Sequence, residues 1–504
     1  MGVSPEVFTL VLGLISAAFT LLLTFKITKY ITNSWWISWA MTLIIGLNHT
    51  FLFAAVIGLE TLMQTFWLTL SVYYLVKMMN TGLTRRHIFI VSISHAIAIL
   101  LHPDSVVFTP IALGAIIYLL KSENISYKDP RFLKTILIYI IPIALLTTPW
   151  VVWKVWYYGT LLPNTYYAKS KGITGLVGIY YIIMFLLSYF LLPEIFIIVF
   201  LFIKNIKKKV LDNRVFLIFS TIFLWFLYII KVDGDFIDFR FMVPIMPTLF
   251  SAIGWCLTKV ISQDIVRISL ILSLIVGNIY HTCTEYEIKM GSRGKKLLQK
   301  HPGILSLPAA KLEQIRWIKA GKKLFYYCKG DSTITIATSA AGAIPYYSQL
   351  KNIDILGLND KWIAQNAPYR KWASAAHRTK APLSYLIKRK VNLLIEHPRV
   401  ISIKSTNDLK NAAHSLLSSG EMKFLYMDQP FPNNAEILAI PVEEDSVLFT
   451  IYLTPHPKID SLIIANKWLH FSINTNSTSA KSITSQSQSP HSSGTSARSP
   501  QTHT

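Results

Sequence analysis

Residues 216–240, FLIFSTIFLWFLYIIKVDGDFIDFR, join a continuous apolar run to a loop that holds three aspartates and an arginine. As a helix, the apolar run Phe216–Val232 nearly spans the roughly 30 Å of hydrocarbon in a bilayer. Charged side chains are costly beside a membrane segment, and those found there often mark functional sites. The stretch therefore predicts a membrane-spanning helix that ends at a polar site.

The same arrangement recurs along the first 280 residues. About ten apolar runs lie near residues 6–25, 35–56, 61–78, 87–101, 105–121, 133–153, 177–203, 215–231, 241–259 and 265–280. The 504-residue chain is 52% hydrophobic with a mean hydropathy of +0.43, which is too apolar for an ordinary soluble protein of this size. We predict a polytopic α-helical membrane protein of about ten spans, in contact with the lipid bilayer.

The net charge of +23 would suggest nucleic acid binding in a soluble protein. Here the basic residues of the apolar half lie at the ends of the predicted helices, and the sequence has no nucleic-acid-binding motif. We therefore predict that the protein has no nucleic acid partner.

The loops between the spans form two sets that differ in charge. One set holds sixteen basic residues, namely Lys26, Lys29, Lys77, Arg85, Arg86, Lys121, Lys128, Arg131, Lys134, Lys204, Lys207, Lys208, Lys209, Arg214, Lys259 and Arg267. The other set holds five, namely Lys154, Lys169, Lys171, Lys231 and Arg240. Because short cytoplasmic loops are enriched in Lys and Arg, the first set is predicted to be cytoplasmic. With ten spans, the polar motif loops, the N-terminus and everything after residue 280 then face out.

Beyond residue 280 the hydrophobic runs shorten to strand length. They lie at Thr333–Thr338, Ile353–Leu356, Val391–Ile395, Phe424–Met427, Ile437–Ile440 and Val447–Leu453, with a helical pattern at Ala309–Lys322. We predict a membrane domain over 1–280, an extracytoplasmic α/β domain over 281–475 and a disordered Ser/Thr-rich tail over 476–504. Cys283 and Cys328 both follow the last span, so one disulfide between them is a candidate.

The loop Asp233-Gly234-Asp235, followed by Arg240, is a candidate site. Two carboxylates around a glycine can hold a divalent cation, or help to bind and activate a hydroxyl. The fork geometry and permanent charge of Arg240 suit a phosphate. The alternative is a solvated loop with an interfacial arginine.

A second candidate is the segment Tyr157–Lys169, in which Tyr158, Asn164, Tyr166 and Lys169 combine aromatic rings, an amide and a cation. A sugar needs aromatic platforms and hydrogen-bonding side chains, and a lipid phosphate needs a cation. Aromatic residues at a membrane interface are also common as belt residues, which is the alternative reading of the rings.

Two shorter motifs complete the candidates. Glu60 opens the third span, where it either binds substrate or favours the helix N-terminus through the dipole. His102-Pro103-Asp104 joins two spans; His102 is a candidate phosphate ligand or an interfacial residue, and Asp104 a candidate ligand or N-cap. His95, in the middle of a span, is predicted to be a packing residue.

Taken in order, these residues resemble one known group. The motifs are Gly58–Thr61, His102–Asp104, Tyr157–Lys169, Asp233–Phe236 with Arg240, Ala340–Tyr347 and Ile353–Asp360. Over roughly residues 1–400 they resemble the terminal arabinofuranosyltransferases (AftB-like, including LphB-type proteins) of the GT-C glycosyltransferases. The resemblance implies a GT-C-like multi-pass enzyme of the bacterial inner membrane, with its C-terminal domain periplasmic. Such an enzyme transfers a sugar from a polyprenyl-phosphate donor to a cell-envelope glycan acceptor on the outer side.

The resemblance also implies roles for the candidates. Lys169, Arg240 and His102 would offset the charge of the donor phosphate. Asp233 and Asp235 would bind sugar hydroxyls or a divalent cation, the one candidate cofactor. The remaining substrate-binding candidates are Glu60, Asp104, Tyr158, Asn164 and Tyr166.

Two departures from the group stand out. His102 stands where the group commonly has arginine. The group also carries an acidic pair, which includes the expected catalytic base, in a large outer loop after its first helix, and this chain starts after that loop. An outward Met1 without a signal peptide fits the same expectation, an N-terminally truncated chain that lacks the base. A folded but inactive protein is therefore a third alternative.

The competing class is a non-catalytic membrane protein, either a lipid-linked sugar transporter or a binding scaffold. A transporter would show charged residues at mid-bilayer and repeated halves, and the sequence shows neither.

Overall fold

The structure is a computed structural model that describes residues 4–170, 175–197, 199–200, 212–235, 237, 239–259, 261, 263–290, 307–369, 378–402, 409, 411–413 and 425–473. The predicted tail 476–504, Lys171 and the basic residues 204–209 lie outside the described residues.

The apolar half is built from helices. The described ones are α1 (Pro5–Thr32), α2 (Trp35–Gly46), α3 (His49–Val56), α4 (Thr61–Thr81), α5 (Arg85–Leu101), α6 (Thr109–Ser122), α7 (Pro130–Tyr158), α8 (Asn164–Ser170), α9 (Leu176–Ser188), α10 (Asn213–Val232), α11 (Met246–Lys259) and α12 (Asp264–Met290). Short 3-10 helices, Pro103–Phe108 and Arg240–Ile245, precede α6 and α11.

Each of the ten predicted spans begins within one of these α-helices or 3-10 helices. Within the described part of the chain, six helical segments are long and apolar enough to cross a membrane, and the pair α2 and α3, bent by 57°, makes up to seven. The bend lies at Asn48, whose side chain accepts a hydrogen bond from the Phe51 backbone N–H at 3.1 Å and donates one to Asn278 at 2.9 Å. Of the other predicted spans, α5 and α9 are shorter, and α4 buries polar residues against other helices.

The helices run between two chemically different ends. At the N-terminal end of α10, the Arg214 guanidinium donates to the Tyr30 carbonyl at 2.9 Å and to the Asn80 side chain at 2.7 Å, so this end meets the last turns of α1 and α4. We call it the basic end. The other ends of the same three helices carry Glu6, Glu60 and Asp233, and we call that the motif end.

A mixed sheet forms the core of the C-terminal part. The strands are β1 (Thr335–Thr338), β2 (Lys351–Asp354), β3 (Ala381–Pro382), β4 (Leu393–Ser402), β5 (Leu425–Tyr426), β6 (Glu436–Glu443), β7 (Ser446–Tyr452) and β8 (Leu469–Ser472). The helices of this part are α13 (Leu307–Cys328), α14 (Ala343–Ser348), α15 (Lys361–Asn366), α16 (Leu383–Lys388) and α17 (Pro457–Asn466).

Six strands join in the order β2-β1-β4-β7-β6-β8, while β3 and β5 form a separate pair. β1 is parallel to both of its neighbours, and the pairs from β4 to β8 are antiparallel. Apolar clusters cover the sheet, which explains why β1 and β7 are buried along their whole length. The predicted α/β character is confirmed, and the domain boundaries stay predictions.

The C-terminal domain contacts the motif end of the membrane half. The Tyr347 hydroxyl donates a hydrogen bond to the Glu6 carboxylate at the start of α1. Helix α15 packs against α8, and the Lys361 ammonium lies 3.7 Å from where a Cβ on Gly159 would stand. The domain therefore covers the end that holds the predicted site.

The candidate disulfide between Cys283 and Cys328 does not form, because all three cysteines are free. Cys328 is 1% exposed in the apolar cluster beside the sheet, whereas Cys283 is exposed on α12. The folded domain thus separates the two thiols.

Candidate functional site

The acidic loop starts where α10 ends. Asp233, at the C-cap, and Gly234 both adopt left-handed backbone conformations, with φ of 60° and 69°. A Cβ on Gly234 would lie 2.7 Å from the Tyr181 ring, so only glycine fits this turn. At this turn the two aspartates bind different partners, Arg378 for Asp233 and Arg240 for Asp235.

Asp235 pairs with Arg240 inside the protein. The Arg240 Nε donates to Asp235 Oδ2, and the two side chains are only 12% and 1% exposed. Arg240 also lies over the Phe241 ring, 5.4 Å from its centre. The second oxygen of Asp235, Oδ1, is buried without a hydrogen-bond partner among the described residues. A buried acceptor of this kind suits a hydroxyl donor brought by a ligand.

Asp233 pairs instead with Arg378 of the C-terminal domain. The Arg378 guanidinium donates to Asp233 Oδ2 at 2.7 Å, and both side chains are fully buried. A second guanidinium nitrogen donates to the Lys169 carbonyl at 3.1 Å. Sequence reasoning missed Arg378, because it stands in no motif and its partners lie 145 and 209 positions away.

The His-Pro-Asp turn and Glu60 lie together at the motif end. His102 Nδ1 lies 2.5 Å from Asp104 Oδ1, and its Nε2 lies 3.8 Å from Glu60 Oε1. Gln64 donates to the same Asp104 oxygen at 2.7 Å and fixes it. Burial alone would lower the pKa of His102, but the hydrogen bond and charge of Asp104, with the charge of Glu60, outweigh burial and raise it.

Lys169 joins this group from α8. Burial lowers the pKa of its ammonium, while the charge of Asp235 opposes that shift and the charge of Arg240 adds to it. Glu60 and Asp104 also act on Lys169. We define the charged cluster as a set of six side chains at the motif end: Glu60, His102, Asp104, Lys169, Asp235 and Arg240.

The aromatic candidates are largely exposed. Tyr158 is 52% exposed and contacts Trp153 and Tyr157, and Tyr166 is 49% exposed against Tyr167. Asn164 begins α8. No described contact brings these three to the charged cluster, so their substrate-binding roles stay predictions. His95 is a packing residue, because its ring nitrogens lie 2.8 Å from the Tyr139 hydroxyl and 3.0 Å from the Ser105 carbonyl.

A divalent cation also stays a prediction. In the described ranges no group of three or more His, Cys, Asp or Glu side chains is placed to hold a metal ion. Asp233 and Asp235, the proposed ligands, each have a guanidinium partner that already balances their charge. This donor set does not fit a cation, and no step below depends on one.

The chain is similar to solved structures in fold and has little sequence identity with them. The model of a domain of unknown function (DUF8728) matches residues 310–440, and no curated protein matches the chain. The chain is similar to ArnT from Cupriavidus metallidurans bound to undecaprenyl phosphate, with a TM-score of 0.51, 8% identity, and 88% of this chain and 83% of that chain covered. It also matches ArnT from the same organism in the apo state, with a TM-score of 0.46, 10% identity, and 91% and 88% covered.

At 8% identity the first likeness shows the fold alone. The protein is thus a multi-pass membrane protein with a fold like that of ArnT and a C-terminal domain that contains a sheet. The predicted fold class is confirmed. A fold can host several activities, so the function must be argued from the site.

Proposed function

We propose that the protein is a membrane glycosyltransferase that moves a sugar from a polyprenyl-phosphate donor to a hydroxyl of a cell-envelope glycan outside the cytoplasm. The observation that carries the proposal is the charged cluster. Arg240, Lys169 and His102 bring two cationic groups and a titratable imidazole to one partly buried place at the end of the spans, near the C-terminal domain. A lipid phosphate at the membrane interface would lie at this depth.

The carboxylates of the cluster pair with the basic side chains and orient them before a ligand binds. Glu60, Asp104 and Asp235 equal Arg240, Lys169 and protonated His102 in number, so the cluster is neutral in that protonation state before a phosphate binds. A planar guanidinium binds phosphate bidentately, whereas an ammonium acts as a point charge. Arg240 is therefore assigned as the main phosphate ligand and Lys169 as its support.

Glycosyl transfer requires cationic groups beside the phosphate, because negative charge develops there as the bond between the sugar and the phosphate breaks. The acceptor hydroxyl gives its proton to a base, its oxygen bonds to the anomeric carbon, and the bond from that carbon to the phosphate oxygen breaks. The bond electrons stay on the phosphate, which leaves as polyprenyl phosphate with one more negative charge. Prearranged cations beside that oxygen stabilise the developing charge. Asp235 would bind a sugar hydroxyl through Oδ1, and the base is left unassigned.

An apolar groove offers a place for the isoprenoid chain. It lies between α2 and α12, has a volume of about 470 Å³ and is lined by residues such as Trp36, Leu43 and Ile275. At the motif end it reaches Thr282, next to His281, whose ring lies 5.9 Å from that of Phe239. Phe239 directly precedes Arg240, so a chain in this groove would have its phosphate near the charged cluster.

Arg240→Lys tests the proposal, because it keeps the positive charge but removes the planar guanidinium that binds phosphate bidentately. We expect binding of undecaprenyl phosphate to weaken about 10- to 100-fold, as for the loss of a charge-assisted hydrogen bond. Transfer of label from polyprenyl-phosphate sugars to envelope glycan should fall with it. The control is Arg214→Lys, which alters a similar Arg–Asp pair, Arg214 with Asp212, at the basic end.

Binding and transfer are measured on purified protein in nanodiscs, with thermal stability checked in parallel. Unchanged affinity and rate in Arg240→Lys would make Arg240 an interfacial anchor that snorkels to headgroups. Donor binding by the wild type without any transfer would contradict an active transferase and would leave three classes: a truncated enzyme that lacks its base, a transporter and a scaffold.

A further inference from the structure

A second site lies on the C-terminal domain, in an open depression of about 360 Å³ beside α15. Its floor is formed by two stacked rings, Trp362 and Tyr385, whose centres are 4.2 Å apart and whose planes differ by only 7°. Trp362 is nevertheless 42% exposed. Since Tyr385 covers one face of the indole, the exposed surface is its opposite face and edge.

Polar side chains fix this aromatic platform. Asp360 caps α15 by accepting from the Ile363 backbone N–H at 3.0 Å, and it accepts from the Tyr385 hydroxyl at 3.2 Å. Arg389 donates to the same carboxylate at 3.2 Å and also to the Tyr385 hydroxyl. The platform is thereby ordered before any ligand arrives, which lowers the entropic cost of binding.

The rim of the depression carries hydrogen-bonding groups suited to hydroxyls. The Arg389 side chain is 40% exposed and has five N–H donors, of which the contacts above use one nitrogen. The Asn366 amide lines the same depression and is oriented by donating to the Trp362 carbonyl at 3.0 Å. A flat apolar face bordered by planar donors is complementary to a sugar ring, which has an apolar C–H face and polar hydroxyl edges.

Helix α15 connects the depression to the part of the fold that holds the charged cluster. That helix packs on α8, whose Lys169 belongs to the cluster, and Lys361 approaches Gly159 at the end of α7. A polymer bound on Trp362 would therefore lie on the same side of the protein as the proposed transfer site.

We propose that Trp362, Tyr385 and Arg389 form a subsite for an oligosaccharide, at a sugar residue distant from the hydroxyl that receives the new sugar. That this oligosaccharide is the acceptor rests on the proposed function. The binding itself rests only on the geometry of the depression.

The test uses the full chain in nanodiscs and a panel of soluble oligosaccharides of four to six pentofuranose or hexopyranose residues. Saturation-transfer NMR and calorimetry measure their binding. At least one oligosaccharide should bind, and Trp362→Ala should weaken it at least about ten-fold, the loss expected for one stacked ring. Trp362→Phe, which keeps a ring and the fold, should retain most of the affinity.

The matched control is Tyr326→Ala, which removes an exposed aromatic ring of the same domain outside the depression. It should leave oligosaccharide binding unchanged. Equal loss in Tyr326→Ala, no binding of any panel member, or binding that survives Trp362→Ala would overturn the subsite. Preference of the depression for an unstructured peptide over every oligosaccharide would overturn it as well.

The two proposals fail in different ways. Trp362→Ala should leave undecaprenyl phosphate binding intact, and Arg240→Lys should leave oligosaccharide binding intact. If the wild type binds an oligosaccharide through Trp362 but no undecaprenyl phosphate, the subsite stands and the proposed function does not.

Discussion

His102 gives the charged cluster a pH-dependent member. Its pKa is raised because Asp104 and Glu60 favour the imidazolium more than burial disfavours it. A raised pKa means that the positive charge is fully present at low pH and is lost as the pH rises through the raised value, above the ordinary 6.5. An arginine at this position would stay charged throughout.

We expect wild-type affinity for undecaprenyl phosphate to decline as the pH rises through this window. His102→Arg should remove the decline, and His102→Gln should show weak binding at both ends of it. Since the lipid phosphate titrates equally in all three experiments, the difference between variants isolates the side chain. The measurement is binding to protein in nanodiscs between pH 6 and 9, and identical profiles for wild type and His102→Gln would remove His102 from phosphate binding.

At the scale of elements, one ion pair ties the C-terminal domain to the membrane helices. Arg378 binds Asp233 at the end of α10 and the Lys169 carbonyl in α8, with no exposed surface on either charged group. Losing one partner of a buried pair is costly because the other charge stays buried. The pair therefore positions two segments of the site relative to the domain above them.

Arg378→Met should destabilise the protein by about 3–5 kcal/mol, and Asp233→Asn in the same chain should restore much of that loss, since it removes the buried charge and tolerates the left-handed backbone at this position. Thermal unfolding in detergent measures both. The control Arg131→Met breaks an exposed pair with Asp129 at the basic end and should leave stability unchanged. A small effect of Arg378→Met, similar to the control, would show that the domain is held by its other contacts.

The elements themselves were largely predictable, because their signals are local. The lengths of the hydrophobic runs distinguish the helices of the membrane half from the strands after residue 333. Each of the predicted strands overlaps a strand of the structure. His102, Asp104 and Glu60 were predicted for the same reason, since each ends or begins a span. The pairing of Asp233 with Arg378 could not be predicted, because it depends on how two distant segments dock. The role of the aromatic rings around Tyr158 could not be predicted, because ring content does not distinguish a ligand platform from an exposed surface.

For the whole molecule, the main expectation is its orientation in the membrane. The contacts place the motif end and the C-terminal domain together, opposite the basic end. The excess of basic residues in the other loops predicts that this shared end is outside. Function and orientation are linked, because an extracytoplasmic glycan meets only groups on the outer side.

Cysteine labelling tests the orientation in a Cys283→Ser background, which removes the exposed native thiol. An impermeant maleimide applied to intact spheroplasts should label Ala465→Cys on α17 and should reach Ser126→Cys, between α6 and α7, only after lysis. Both positions are exposed on the surface of the fold. The opposite labelling pattern would invert the topology and would rule out an extracytoplasmic acceptor.

The Asp233–Arg378 pair also sets an order of events during biosynthesis. Its two residues are 145 positions apart in the chain, and translation proceeds at about 5–20 residues per second, so the aspartate precedes its partner by roughly 7–29 s. During that interval the end of α10 holds a carboxylate that still faces water or lipid headgroups. Asp233 therefore gains its buried charge partner only after the whole membrane half has been synthesised.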